Sequence, residues 1–556
     1  MKKNNNKKTE ASRNKIKAVE QNNDKSAMII VAVMATIMLM HYLPKSYGIF
    51  FPQDEFGYWN NAAKIIGVDW SDVAYGQSSY AYGYSVLLTP LLVLFKSNPL
   101  LLYKMAIVLN AFLLIVYVFY FEKFISRVFN SLPKSQIIQL TLICAFAPYV
   151  VGYVHYTIAE MLIHVLFVMI LNAVYDMEEH DMEKNYIIRG GLLCGVLLFV
   201  HYRTIGVTFA FIIVVLSHYI RTTTSKRNRV IVSIACICAL LLTICVISQA
   251  GYFSLSEIIK VENIKDLTIG VIGIIFYVIV ATLGLGGIGI ATMINNLNSI
   301  LNRFYILAFG SLCFISAYFF LGSMRIDHLV YGRYIEMFLP FLLCVGINTI
   351  IEKKVSWKTL TEVVITTIVL SIFMFFHAAK VGLTDYISNF VCGIDWMLGN
   401  RASTVLMLYI KPMYLTVISI LLIALFSKRK RFAEFLLVTM IAISLSSSKW
   451  IIDNNVYFFH SCDETDYELS LQIEELMKIK PKLIFLDSPY NNYINLMQYW
   501  LMDKPITLVQ GLDPEAFNTP NDAIIITHAN YEAPEQLTER YSEYMQSSHF
   551  FVYFNY

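Results

Sequence analysis

Two adjacent carboxylates, Asp54 and Glu55, stand in the run Phe50-Phe51-Pro52-Gln53-Asp54-Glu55-Phe56-Gly57-Tyr58-Trp59, shortly after an apolar segment of membrane-crossing length. A carboxylate held against apolar surface is harder to ionise, which suits it to exchanging a proton with a bound hydroxyl. The same spacing also fits a solvated acidic pair at a helix end. Further along, Glu160 closes the run Tyr153-Val154-His155-Tyr156-Thr157-Ile158-Ala159-Glu160, and Arg203 sits in His201-Tyr202-Arg203-Thr204. Each falls at a turn between two apolar blocks. A charge at the centre of a bilayer costs about 2.5–3.5 kcal/mol on insertion scales, so such groups have partners or work. Glu160 and Arg203 are therefore either a structural ion pair between helices or part of a site. His155 and His201 read as interfacial histidines rather than metal ligands. A fourth cluster gathers Arg325, Asp327, His328, Tyr331, Gly332, Arg333, Tyr334 and Glu336. Its two arginines, with Arg203, offer the planar, permanently charged donors that grip phosphate, or else they anchor an outer loop.

The elements that must position these groups are membrane helices. The chain is 57% hydrophobic and 15% charged with a net charge of +3, and its mean hydropathy is +0.57. That charge is too small to suggest nucleic acid. The apolar residues come in blocks long enough to cross the roughly 30 Å hydrocarbon layer as helices. They lie near 27–44, 100–121, 136–154, 158–175, 187–202, 204–220, 230–250, 268–293, 303–321, 334–351, 359–377, 408–426 and 432–451, about thirteen spans by hydropathy. The basic tail before the first block (Lys2, Lys3, Lys7, Lys8, Arg13, Lys15, Lys17, Lys25) puts the N-terminus in the cytoplasm. The first block is read as a retained span, because no small-residue cleavage pattern follows it. Alternation then places Lys123, Arg127 and Lys134 inside, with Arg221 to Arg229, Lys353 to Lys358 and Lys428 to Arg431, the most basic short loops. This parity requires Tyr82 to Phe95, apolar but short, not to cross: it is expected as a re-entrant or interfacial helix of the first outer loop, residues 45–99. Segments 46–99, 251–267, 322–331 and 380–409 then lie outside, so all the charged clusters share one membrane face.

Residues 1–26 form the cytoplasmic tail, 27–452 the membrane domain, and 453–556 a small outer domain. In the last, helices are expected at Glu464 to Lys480, Tyr490 to Met502 and Pro534 to Met545. Strands are expected at Lys482 to Asp487, Ile506 to Gln510, Ala523 to His528 and His549 to Phe554, an α/β pattern. The outer domain has no glycine-rich phosphate loop, so no nucleotide chemistry is assigned to it. Most of the nine cysteines fall in apolar blocks, where they act as small hydrophobes. Cys392 and Cys462 are expected outside, where a bridge between them is one option.

The acidic pair after the first span, the tyrosine-rich Ser79-Tyr80-Ala81-Tyr82-Gly83-Tyr84-Ser85, the Glu opening the fourth span, the Arg after the fifth, and Gly332-Arg333-Tyr334 with Pro340 recur in a known order. That ordered set resembles the lipid-carrier-dependent glycosyltransferases of the GT-C fold, among them protein O-mannosyltransferases and the lipid A aminoarabinose transferase. The resemblance covers the membrane part, about 450 residues, and the outer domain matches in placement alone. It implies a polyprenyl-phosphate-linked sugar as donor and an extracytoplasmic acceptor, a cell-envelope glycan, lipid or protein. It further implies Asp54 as general base, Glu55 orienting the acceptor or Asp54, and inversion at the anomeric carbon. Arg203, Arg333 and Arg325 would hold the donor phosphate. Glu160 would position a substrate or bind a divalent cation, the one cofactor the resemblance allows, with Tyr58, Tyr80, Tyr82 and Tyr334 positioning substrate. The sequence departs from the family pattern at Ala159, where a serine is usual, and at Thr204, where a proline is usual. The reading places the chain in a bacterial plasma membrane. The main rival is a transporter or flippase of lipid-linked or envelope substrates. Such proteins are commonly built from two related halves with polar broken helices at midplane, and no repeat is evident here. A non-catalytic scaffold and a polymer ligase are the others.

Overall fold

The computed structural model describes residues 26–74, 80–222, 261–323, 325–383, 391–399, 407–457, 463–487, 493–510, 523–529 and 541–555, with a few isolated positions besides. Among them, nine helices are long and apolar enough to cross a membrane, or ten if the pair Lys134–Ala145 and Pro148–His155, bent by 56°, is one span. The expected block at 230–250 and the partner cysteine Cys462 lie outside the described residues.

Three expected spans take a different form. Block 268–293 is two helices, Val261–Ala281 and Leu285–Ile294, separated by Leu283 and Gly284 in left-handed backbone. The Thr282 hydroxyl accepts from the backbone N–H of Gly286 at 2.9 Å, which caps the new helix where the ladder restarts. Hydropathy averages over such a break because the residues on both sides are apolar. Block 334–351 is a short 3-10 turn, Glu336–Phe338, running into Leu339–Ile351. That helix crosses Leu285–Ile294 at very close range: a Cβ on Gly289 would lie 2.3 Å from the Leu342 carbonyl oxygen, and one on Gly346 2.0 Å from that of Leu285. Backbones that approach this closely need glycine at the crossing, a recurrent solution in membranes. Block 187–202 is the 17-residue helix Lys184–Val200.

The segment expected to be re-entrant is a 13-residue helix, Gly83–Phe95. Beside it lies the amphipathic helix Pro52–Ile65, which carries the acidic pair in its first turn with Pro52 at the N-terminus, where a missing N–H costs nothing. The C-terminal domain contains a five-stranded sheet of order β2-β1-β3-β5-β4. Strands β1 (Lys482–Asp487), β2 (Thr507–Gln510) and β3 (Ala523–His528) are parallel, while β5 (Phe550–Phe554) runs antiparallel to β3 and to β4 (Glu543–Gln546). The helix expected to reach Met545 does not: residues 543–546 form an edge strand paired with β5, with Met545 opposite Val552. Its mostly exposed side chains left no alternating apolar pattern to read.

The helix Tyr493–Leu501 joins the C-terminal domain to the membrane part. Every residue from Ile494 to Leu501 is buried, because one side faces the sheet and the other the segment that follows the first span. It lies against Pro52–Ile65 and against the start of Pro99–Val128.

Candidate active site

Four distant segments bring their charged residues into one chain of ion pairs. Asp54 Oδ2 accepts from Arg333 Nη1 at 2.8 Å. Arg333 Nε donates to Glu160 Oε1, and Arg203 Nη2 donates to the same oxygen at 2.9 Å. The side chains of Glu160, Arg203 and Arg333 are 1%, 3% and 4% exposed, against 22% for Asp54. The arginines are thus deep, and Asp54 is the member that solvent reaches. Two carboxylates balance two guanidinium groups, which is the condition for keeping such charges out of water.

Each group is held from behind. Tyr80 donates its hydroxyl to Asp54 Oδ1. The Arg203 guanidinium lies over the Tyr334 ring, 4.5 Å from its centre, a cation–π contact that fixes the plane of the fork. The backbone N–H of Arg203 donates to His201 Nδ1 at 3.3 Å, so this histidine caps the turn after Lys184–Val200. Gly332 is needed because the Tyr277 ring packs where its side chain would be: a Cβ there would lie 2.3 Å from the Tyr277 hydroxyl. That hydroxyl and the one on Tyr153 both donate to Glu336, which ties the Gly332–Tyr334 turn to two neighbouring helices.

Glu55 occupies a different position. It is fully buried, accepting from the Phe51 N–H at 2.7 Å, the Tyr103 hydroxyl at 2.8 Å, and the Thr157 N–H and hydroxyl at 2.7 and 2.5 Å. Burial pushes its carboxyl above the usual range, against these donors, which pull it down. Its oxygens therefore bind the first turn of Pro52–Ile65 to the loop before Glu160, and it turns away from Asp54. Arg325 forks onto Asp327, with Nε–Oδ1 3.2 Å and Nη2–Oδ2 2.5 Å. Tyr58 is buried with its ring edge-on to Tyr80 and Tyr84, and Tyr82 is 38% exposed. Glu336 was visible in the sequence as part of a cluster, but its tyrosine donors were not. Tyr103, Tyr153 and Tyr277 are aromatic residues in apolar blocks, indistinguishable in sequence from packing residues.

Two buried polar atoms in the ion-pair chain lack a hydrogen-bond partner among the described residues: Arg203 Nη1 and Glu160 Oε2. The Tyr58 hydroxyl is in the same condition. Unsatisfied buried groups of this kind cost about 1–3 kcal/mol each, more when charged, a cost that a polar ligand here would recover. As for metals, the only acid–histidine group with ligand spacing among the described residues is Asp463, Asp466 and His549 in the outer domain. There Asp466 Oδ1 accepts from the Ser547 hydroxyl and the His549 N–H, and Oδ2 lies 2.6 Å from His549 Nδ1, so the cluster clips the helix Glu464–Leu476 to the β4–β5 hairpin.

No protein-family model matches the chain, and no curated protein matches it in sequence. Solved structures do match. ArnT from Cupriavidus metallidurans bound to undecaprenyl phosphate superposes with a TM-score of 0.51 at 10% identity, covering 95% of this chain and 98% of that one. The same protein in the apo state gives 0.46 at 11% identity, over 94% and 97% of the two chains. The archaeal oligosaccharyltransferase AglB from Archaeoglobus fulgidus, in complex with an inhibitory peptide and a dolichol-phosphate, gives 0.45 at 10% identity, covering 92% of this chain and 70% of that one. The chain is a polytopic α-helical membrane protein of the GT-C fold with a small C-terminal α/β domain, similar in fold to ArnT along nearly its whole length.

Proposed function

We propose that the protein is a membrane glycosyltransferase that moves a sugar from a polyprenyl phosphate to an acceptor hydroxyl at the outer face of the membrane. The observation that carries this reading is Arg203. Its guanidinium is buried, held by Glu160 at Nη2 and, among the described residues, without a hydrogen-bond partner at Nη1, beside a second buried arginine. A phosphate oxygen satisfies that nitrogen and supplies the anion that the pair of arginines accommodates. The fold likeness to ArnT, a protein crystallised with undecaprenyl phosphate, supports the same donor class.

The chemistry follows from the arrangement. The acceptor oxygen attacks the anomeric carbon as the bond from that carbon to the phosphate oxygen breaks. Asp54, at the solvent-reached end of the chain, takes the acceptor proton. The bonding pair leaves with the polyprenyl phosphate, whose charge goes from about −1 to −2. Arg203 and Arg333 stabilise that new charge with donors already in place, the condition under which such stabilisation is large. As Asp54 is protonated its hold on Arg333 weakens, which frees Nη1 to follow the charge to the phosphate. A single displacement of this kind inverts the anomeric centre. Tyr58 offers the sugar or phosphate a buried hydroxyl that has no hydrogen-bond partner among the described residues, and Glu160 keeps both forks oriented. A divalent cation at this site would find its anionic ligands in Asp54 and Glu160. The outward orientation rests on the basic loops expected to stay inside.

The phosphate site can be tested without knowing the sugar. Polyprenyl phosphate added to the purified chain should raise its melting temperature, since a ligand at a hundredfold excess over Kd adds about 2.7 kcal/mol. In R203Q the shift should shrink sharply. An equal shift in R203Q would remove the phosphate from this cluster.

A further inference from the structure

The helix that carries Asp54 is clamped by the outer domain. Phe56 stacks on Trp70 with ring centres 5.2 Å apart, and the Trp70 indole N–H donates to the Met502 carbonyl at 2.8 Å, the residue after the helix Tyr493–Leu501. Trp59, one turn past Asp54, packs on Tyr499 at 5.4 Å and donates to the Thr157 hydroxyl at 2.9 Å. Tyr499 also stands edge-on to Tyr103, the tyrosine that donates to Glu55. Trp500 donates to the Tyr47 carbonyl at 2.9 Å, and Gly48 leaves the space its indole fills: a Cβ there would lie 2.8 Å from the indole nitrogen. At the rim Lys96 pairs with Asp503 at 3.1 Å. On its other side the clamping helix is fixed to the sheet, Tyr493 stacking on His549 at 5.1 Å and lying tilted against His528 at 4.3 Å. The Gln498 amide holds the following turn by donating to the Met502 and Lys504 carbonyls at 3.1 and 3.0 Å and accepting from the Ile506 N–H at 3.1 Å.

From this we infer that the outer domain positions the catalytic helix, with Trp70 and Trp500 as its positioning residues and Tyr493–Leu501 as the lever; the inference rests on the proposed role of Asp54. Pro52–Ile65 is tied down at its start by Glu55, but on the face bearing Phe56 and Trp59 the Trp59 ring meets Tyr499, and Trp70, on which Phe56 stacks, is itself bonded to Met502, both partners far along the chain. Both indoles donate to backbone carbonyls across the boundary, so the contact has a fixed register as well as apolar area. The arginines proposed to hold the phosphate lie on other elements, both bonded to Glu160 and Arg203 also set on the Tyr334 ring, so Asp54 is only one of the groups that fix them. A loosened clamp therefore moves the base relative to a phosphate site that stays in place.

The test uses the full chain in detergent with W70F and W500F, which keep a ring and lose the indole donor, and with Y544A as a control on the exposed strand β4. Misplacement of about 1 Å at a reacting group can cost on the order of 100-fold. W70F and W500F should each lose ten- to hundredfold in kcat on this scale, with the donor KM and the melting shift given by polyprenyl phosphate unchanged, while Y544A matches the parent. Amide hydrogen exchange supplies a readout that needs no turnover: residues 52–65 should exchange faster in W70F and W500F than in the parent. If either tryptophan only supports folding, less protein will be recovered but each folded molecule will turn over normally, with 52–65 protected as before. That result overturns the inference. If the parent consumes no donor while exchange still rises at 52–65, the clamp stands and the glycosyltransferase reading falls.

Discussion

Replacing Asp54 with Asn removes one charge and almost no volume, so its consequences can be worked out from the ion-pair chain. In the parent, two carboxylates face two guanidinium groups. In D54N the group carries one excess positive charge, but Arg333 keeps Glu160 and an amide oxygen can still accept from Nη1. Breaking a buried pair outright costs about 3–5 kcal/mol by leaving a charge uncompensated; here the change is at the 22%-exposed end and one partner remains, so the loss should be below that range. Catalysis should suffer more. A positioned base is worth about 10²–10⁴-fold, or roughly 3–5 kcal/mol of barrier at 1.36 kcal/mol per decade. Donor binding should be as tight as in the parent or tighter, because the anionic phosphate now restores neutrality. The assay is a single-turnover reaction with enzyme in excess over labelled donor, which isolates the chemical step, alongside the melting shift produced by polyprenyl phosphate. A D54N protein that turns over within about threefold of the parent would refute the base assignment, since no effect of that size is left for proton transfer.

Three further outcomes are expected. Glu160→Gln should leave two buried guanidinium groups sharing a single remaining carboxylate, lowering stability by about 3–5 kcal/mol, with polyprenyl phosphate restoring part of it; a melting curve identical to the parent's would show that Glu160 does not hold the arginines. Arg333→Lys should weaken polyprenyl phosphate binding by about tenfold, the worth of one charge-assisted hydrogen bond that a point charge cannot keep, as read by titration calorimetry. In the outer domain, the hydrogen bond to Asp466 raises His549 above 6.5, so its contribution to stability is complete below that pH and is lost as pH climbs through the raised folded value. Protection of β5 from amide exchange should therefore fall on going from acid to alkaline pH in the parent, and H549N should flatten the dependence; a parent profile without slope would discard it.

Much of the site was legible because charge at a lipid boundary stands out against apolar sequence. Glu160, Arg203 and Arg333 sit at the ends of apolar blocks and Asp54 ten residues after one, and the structure joins them by direct hydrogen bonds. Glu55 shows the limit of that signal: its neighbour faces the arginines while its own oxygens face Tyr103 and Thr157, a difference of one helical step that spacing in the chain does not encode. Arg325 shows another, since its partner Asp327 lies two residues away and the short 3-10 turn decides the pairing. The break at Leu283 and Gly284 was hidden because the helix restarts in apolar sequence, and β4 because an exposed edge strand has no face to bury. The aromatic clamp from Trp70, Tyr499 and Trp500 was invisible for a simpler reason. In a chain that is 14% aromatic, nothing local says which rings meet across four hundred residues.

The central claim is sugar transfer from a lipid phosphate, and one measurement addresses it directly. Purified protein in excess is mixed with polyprenyl phosphates carrying different radiolabelled sugars, and the lipid products are separated with time. At least one donor should be consumed with stoichiometric release of free polyprenyl phosphate, the anomeric centre of the product should be inverted, and D54N should slow consumption by about 10²–10⁴-fold. Donors that all stay intact, or that cross a sealed vesicle membrane unchanged in the presence of the protein, would contradict it.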